Sequence, residues 1–198
     1  MRIIIISVIL CYSGILTAQL SYEEELQKHR TEAQLAFEDP EQSILTVEER
    51  EAFHGLEFFS LDKSYKVPVK FKLIKKGKVI GFTTSTDRIA KYRPYGKLKF
   101  KVNGKRCKLT VFESAVALKG YENHLFLPFT DLTNGLETYG GGRYLDLSKP
   151  DMKKKFLLDF NYCYNPYCAY SSKYSCPAPP EMNRLEVEIR AGVKGGGH

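Results

Sequence analysis

An Asn103-Gly104 pair between two alternating runs restricts the fold of this chain more than any other feature. Both residues accept the positive φ angles of a type I′ turn, so the sequence predicts a β-hairpin with a two-residue loop. A loop of this length fixes the register of the two strands. The predicted facing pairs are Val102 with Lys105, Lys101 with Arg106, Phe100 with Cys107, Lys99 with Lys108, and Leu98 with Leu109.

Alternation with a period of two recurs along much of the chain after Gly55. The first run, 67–73, contains Pro68, which favours an edge strand because proline donates no ladder hydrogen bond. Further strands are predicted at 79–82, 125–129, 144–147, 156–160 and 185–189. Several short strands, with helices only at the start, indicate a mainly β fold: an antiparallel sandwich or partly open barrel with one or two N-terminal helices.

The segment that precedes the strands has a helical pattern. A helix is predicted over 22–36, and Asp39-Pro40 ends it. A second short helix is predicted to begin at Thr46, whose hydroxyl forms a capping-box pattern with Glu49. A chain of 198 residues fits one domain. We divide it into a helical segment at 20–53, a β-rich domain at 54–194 and a loose tail at 195–198.

Residues 1–19 have the pattern of a secretory signal peptide, with Arg2 before an apolar run and small Ala18 near its end. A transmembrane anchor is the rival interpretation, but polar and small residues at 12–14 interrupt a run that would need about 20 apolar residues. The sequence therefore predicts an exported chain, periplasmic or secreted, without a transmembrane anchor. Its formal charge of +7 indicates acidic partners only weakly. No module that reads nucleic acid is recognisable.

Four cysteines follow the predicted signal and allow three complete pairings. Alternation turns Cys107 toward the core, whereas Cys163 falls opposite the apolar set of its strand if that strand extends so far. These two thiols are therefore not expected to meet. Cys168 and Cys176 are close in sequence and share a proline-bounded loop, which favours them as a disulfide in an oxidising compartment.

A segment rich in glycine and polar residues, 129–144, lies between two predicted strands. Consecutive glycines remove every Cβ, so the backbone can approach a ligand closely, and the adjacent arginine offers a planar donor fork for a carboxylate or phosphate. The alternative is a long turn with a bulge. The candidate ligand-binding residues here are Gly140, Gly141, Gly142, Arg143 and Tyr144.

The same segment contains two carboxylates, Asp131 and Glu137, which could serve a hydrolase as acid and base. Tyr139 or Arg143 would then stabilise developing charge. The alternative is loop capping, in which Asp131 accepts hydrogen bonds from nearby backbone amides.

A second cluster, 161–180, concentrates five tyrosines with cysteines and prolines. Tyrosine presents an apolar face and a hydroxyl, so these rings could stack on sugars, with Asn165 and Tyr167 as candidate ligand-binding residues. The alternative is a rigid, disulfide-pinned lid over the open end of a barrel.

The outward face of the hairpin carries two like-charged pairs, which destabilise a sheet unless solvent screens them or an anion binds there. A solvated lysine face is one interpretation. The other is a docking patch for an anionic envelope polymer at Lys99, Lys101, Arg106 and Lys108. Cysteine and histidine spacings match no zinc pattern, so no metal and no cofactor are predicted.

Both clusters resemble the bacterial family catalogued as domain of unknown function 1684. The matching segments are 125–146, LFLPFTDLTNGLETYGGGRYLD, and 159–185, DFNYCYNPYCAYSSKYSCPAPPEMNRL, and the resemblance extends to 54–62, 82–93 and 96–104. It implies no activity. It implies that the signature positions are Glu137, Tyr139, Gly140, Gly142, Arg143, Asn165, Cys168, Cys176 and Asn183, with Cys107 and Cys163 outside the pattern.

These observations lead to three functional hypotheses. The first is a periplasmic binding module for a small anionic or saccharide ligand, built on Arg143, the glycine backbone and the tyrosines. The second is a hydrolytic enzyme that uses Glu137 and Asp131. The third is a structural or interaction protein of the cell envelope.

Overall fold

The computed structural model describes residues 20–117 and 119–195. Two helices come first, α1 (Tyr22–Glu38) and α2 (Val47–Glu51), and each begins with a capping box. The strands are β1 (Lys66–Leu73), β2 (Ile80–Phe82), β3 (Ala90–Val102), β4 (Lys105–Ser114), β5 (His124–Phe129), β6 (Arg143–Ser148) and β7 (Lys155–Asp159). The predicted signal peptide and residues 196–198 of the predicted tail lie outside the described residues.

The strands form one antiparallel sheet in the order β6-β5-β4-β3-β1-β7, and β2 pairs with β3. The sheet curls into a half-barrel. The mainly β prediction is therefore confirmed, and of its two forms the partly open barrel is the one that the chain adopts. No helix within the described residues is long and apolar enough to cross a membrane.

The hairpin of β3 and β4 has the predicted register at all five facing pairs. Asn103 and Gly104 take φ angles of 49° and 76°, as a type I′ turn requires. A two-residue loop fixes the register of the strands, and the alternation of the strands specifies the same pairing as the turn chemistry does.

The edge position predicted for the first strand is wrong, because β1 lies between β3 and β7. Pro68 faces Leu157 of β7, but the ladder between β1 and β3 includes only Lys70 to Leu73 of β1. The proline thus lies beyond the part of β1 that pairs with β3. Its missing N–H costs no ladder hydrogen bond on that side.

Two further local predictions fail for physical reasons. The segment 185–189 alternates between buried and exposed residues, but it joins the sheet only through isolated contacts such as Leu185 N–H to Thr130 O at 2.8 Å.

A 3-10 turn at Phe160–Tyr162 follows β7 and changes which face of the sheet the next residues point to. Cys163 therefore enters the main core instead of facing away from it.

The two faces of the sheet are covered differently. The inner face holds the main core, which includes Leu98, Leu109 and Leu127. The outer face of β4, β5 and β6 carries a smaller aromatic cluster that contains Phe112, Phe126 and Tyr144. The helix α1 contacts the end of β7, where its Tyr22 hydroxyl donates to Asp159 Oδ2 at 2.7 Å.

Candidate functional site

The glycine-rich segment 129–144 contains a buried ion pair. Arg143 begins β6 on the inner face, opposite Phe129, and its side chain is 0% exposed. The guanidinium donates through Nη2 to Asp131 Oδ2 at 2.8 Å and to the Ile189 carbonyl at 2.6 Å, and through Nη1 to the Ala191 carbonyl at 2.6 Å. We call Arg143, Asp131 and the backbone of 189–193 the arginine clamp.

Both oxygens of the clamp's carboxylate accept hydrogen bonds. Asp131 Oδ1 accepts the N–H of Thr133 at 2.9 Å, its hydroxyl at 2.6 Å, and the N–H of Ile189 at 3.2 Å. Burying two charges costs several kcal/mol unless hydrogen bonds satisfy their remaining atoms. Here both carboxylate oxygens and both Nη atoms are bonded, whereas the buried Nε of Arg143 has no hydrogen-bond partner among the described residues. The clamp therefore ties the segment 189–193 to β6, and Arg143 offers no exposed donor to a ligand.

The three glycines lie in different surroundings. Gly142 has a φ of +90°, and a Cβ there would lie 2.8 Å from the carbonyl oxygen of Phe129 and 2.6 Å from Pro179 Cγ. Its lack of a side chain serves close packing next to the clamp. Gly140 and Gly141 are exposed at the surface of the loop.

The two carboxylates considered for hydrolysis do not share an open cleft. Asp131 is buried in the clamp, whereas Glu137 is exposed and pairs with Arg190 at 2.9 Å. Tyr139 lies elsewhere again, with its hydroxyl 4.0 Å from Cys168 Sγ, and burial raises the pKa of its phenol.

The structure brings Cys168 and Cys176 together as free thiols. Cys168 N–H donates to Cys176 Sγ at 3.3 Å. A hydrogen bond from the Cys176 thiol lowers the pKa of Cys168 to about 6, and the pKa of Cys176 is raised in consequence. The disulfide between them stays a prediction.

The other candidate ligand-binding residues, Asn165, Tyr144 and Tyr167, differ in their exposure to solvent. The Asn165 amide is buried and donates to the Tyr170 hydroxyl at 3.0 Å and the Gly195 carbonyl at 2.9 Å. Tyr144 belongs to the aromatic cluster and is nearly buried. Tyr167 is 45% exposed.

A cavity of about 520 Å³ lies beside these tyrosines and extends to α1. We call its aromatic portion the aromatic cleft, lined by Tyr92, Tyr121, His124, Phe126, Tyr144, Asp146, Tyr164 and Tyr167. The half-exposed carboxylate of Asp146 connects two side chains of the cleft. Its Oδ1 lies 2.8 Å from His124 Nε2, and its Oδ2 accepts a hydrogen bond from the Tyr164 hydroxyl at 2.7 Å.

The electrostatics of the cleft follow from this carboxylate. The hydrogen bond to Asp146 raises the pKa of His124 above its usual value. Burial, and then Asp146, raise the pKa of Tyr164, so its phenol stays protonated and remains a donor. Each carboxylate oxygen has a further lone pair that can accept a hydrogen bond from a ligand.

The sequence predictions did not include His124 or Asp146, and they included Tyr164 only as one of the five tyrosines of 161–180. A usable signal existed in strand parity: His124 shares a face with Phe126 on β5, and Asp146 shares it with Tyr144 on β6. Over the described ranges, no group of three or more His, Cys, Asp or Glu side chains could hold a metal ion.

The fold and the site thus define the class of this protein. It is a curled antiparallel half-barrel with an arginine clamp inside the sheet and an aromatic cleft on its outer face. The chain belongs to the family described as Protein of unknown function (DUF1684), whose model matches residues 51–194. This match confirms the resemblance noted in the sequence.

A solved structure supports the same fold. The solution NMR structure of the uncharacterized protein from gene locus rrnAC0354 of Haloarcula marismortui is 37% identical, with a TM-score of 0.67. The match covers 87% of this chain and 94% of that one. No curated protein matches the chain significantly.

Proposed function

We propose that the chain is a binding module whose aromatic cleft holds a small saccharide. The observation that supports this proposal best is the Asp146 carboxylate, which is 50% exposed and already oriented by His124 and Tyr164. A carboxylate held by two neighbours loses little conformational entropy when it accepts a ligand hydroxyl.

The walls of the cleft suit a sugar ring. Tyr121 is 64% exposed and Tyr167 is 45% exposed, so both offer ring surface to a ligand. Flat apolar faces beside a few fixed polar groups are the usual composition of a small-molecule site. A neutral ligand fits better than an anionic one, because Asp146 would repel an anion and Arg143 is buried in the clamp.

The hydrolytic alternative has less support. It needs Glu137 and Asp131 at one exposed centre, but one carboxylate pairs with Arg190 at the surface and the other is buried. Action outside the cytoplasm is part of our proposal, and it rests on the signal-like pattern of residues 1–19.

The test is a calorimetric titration of the protein with a panel of neutral mono- and disaccharides. We expect Asp146→Asn and Tyr167→Ala each to weaken binding about tenfold, which corresponds to about 1.4 kcal/mol. Tyr167→Phe should retain most of the affinity if stacking is the main contribution of this ring.

The matched control is Asp151→Asn, which removes an exposed carboxylate from the turn between β6 and β7. It should bind as the unmodified protein does. Absence of binding across the panel, or binding that neither cleft variant weakens, would contradict the proposal.

A further inference from the structure

The outer face of the sheet has a second concave region, far from the clamp in the sequence and separate in its lining from the aromatic cleft. It exists because β1 pairs with β3 only from Lys70 to Leu73, so at Pro68 the two strands no longer close the surface between them. The resulting groove has a volume of about 790 Å³, and Val69 and Phe100 contribute to its lining.

Six cations surround this groove, and we call the region the basic groove. Its charged lining residues are Lys70, Lys99, Lys101, Arg106, Lys108 and Lys155. Within the described part of the chain, none of the six forms an ion pair, and no carboxylate lines the groove.

Strand register aligns four of these lysines in one row across the sheet. Lys108 of β4 faces Lys99 of β3, Lys99 faces Lys70 of β1, and Lys70 faces Lys155 of β7. A second row contains Lys101 opposite Arg106. Neighbouring strands are about 4.8 Å apart and alternate residues along a strand are about 6.6 Å apart, so the charges form a regular grid.

Such a grid is unfavourable for the free protein, because like charges directly opposite each other destabilise a sheet. Elsewhere on the surface opposite charges are interspersed, as in Lys149 with Glu113 and Arg184 with Glu186. The basic groove lacks this compensation. An anion that bridges the rows would remove the repulsion when it binds.

The chemistry of the anion follows from the residue types and the shape. Five of the six cations are lysines, which act as point charges suited to phosphate and lack the planar fork with which arginine grips a carboxylate. The lysine row spans about 14 Å across four strands, so a single phosphate cannot reach all of it. A concave surface accepts a chain more readily than it accepts a flat bilayer.

We propose that the basic groove binds a linear polymer of phosphate groups, whose successive anions contact lysines of neighbouring strands. The proposal is independent of saccharide binding in the aromatic cleft, since the two sites share no lining residue.

The test measures binding of labelled inorganic polyphosphate by fluorescence anisotropy over a range of salt concentrations. Four or more ionic contacts should lower the affinity on the order of a hundredfold between 50 and 200 mM salt, because counterions are released on binding. The test variant neutralises the lysine row through Lys70→Gln, Lys99→Gln, Lys108→Gln and Lys155→Gln.

In this variant we expect the affinity to fall at least about a hundredfold and the salt dependence to flatten by three to four contacts. Its melting temperature should be unchanged or higher, because the lysines repel one another in the free protein. A control of equal charge changes exposed lysines outside the groove: Lys28→Gln, Lys76→Gln, Lys91→Gln and Lys119→Gln. It should retain most of the affinity.

Three results would overturn the proposal. The first is equal loss of affinity in the row variant and the control variant, which would mean that only net charge matters. The second is binding of polyglutamate of equal charge as tightly as polyphosphate. The third is binding to phosphatidylglycerol vesicles without any binding to polyphosphate, which would indicate a flat membrane surface as the partner.

Discussion

The arginine clamp and the aromatic cleft lie on opposite faces of the same two strands. Arg143 and Tyr144 are neighbours in β6, but the first points into the core beside Asp131 and the second points outward beside Phe126. Both oxygens of each carboxylate contact a hydrogen-bond partner, but Asp131 is buried whereas Asp146 is half exposed. Polar groups on one face therefore hold the fold closed, and those on the other remain available to a ligand.

Breaking the clamp should have the largest effect on stability. Arg143→Met leaves Asp131 buried without its cation, so we expect the free energy of unfolding to fall by about 3–5 kcal/mol. Urea denaturation monitored by circular dichroism measures this change. The control is Arg190→Met, which removes an exposed partner of Glu137 and should cost less than about 1 kcal/mol. Equal costs for the two variants would mean that burial does not distinguish the pairs.

A neutral buried contact should have an intermediate effect. Asn183 is fully buried, and its amide accepts the N–H of Thr110 at 2.7 Å and donates to the carbonyls of Thr110 and Pro128. Asn183→Ala leaves these backbone groups unsatisfied, so we expect a loss of about 2–3 kcal/mol in the same denaturation assay. Exposed Asn123→Ala is the control and should cost less than about 0.5 kcal/mol.

The smallest effect should come from the cleft and should depend on pH. Because the pKa of His124 is raised in the folded state, its bond to Asp146 contributes stability below the unfolded value of about 6.5 and loses it as the pH rises through the folded pKa. The side chain is one-third exposed, so we expect less than about 1 kcal/mol.

Urea midpoints at acid and alkaline pH compare the unmodified protein with His124→Gln. The variant should be less stable at acid pH and nearly equal at alkaline pH, and Asp146→Asn should abolish the same difference. A His124→Gln variant with an unaltered pH profile would show that the pair contributes nothing.

The parts of the fold that the sequence predicts are those fixed by short-range chemistry. Asn103-Gly104 determines the hairpin register through its own turn, and the capping box of Thr46 determines where the second helix begins. The resemblance of 125–146 to the DUF1684 family is likewise carried by a local sequence pattern, and the family model matches residues 51–194.

The site was less predictable because its contacts are distant in sequence. The Arg143 guanidinium donates to carbonyls in residues 189–193, and no local sequence pattern indicates a partner nearly fifty positions away. The pairing of His124 with Asp146 depends on the register of β5 with β6, which a long loop at 130–142 leaves open. The glycines of that loop suggested a ligand site, whereas Gly142 allows close packing instead.

The position of β7 at one margin of the sheet also governs how copies of the chain behave in concentrated solution. Only β1 pairs with β7 among the described strands, so one side of it presents free backbone groups that could recruit a strand from another molecule. This strand has just five residues, and Lys153, Lys154 and Lys155 precede or begin it. Shortness and like charge at an open edge discourage intermolecular strand pairing, which protects a half-open barrel from aggregation.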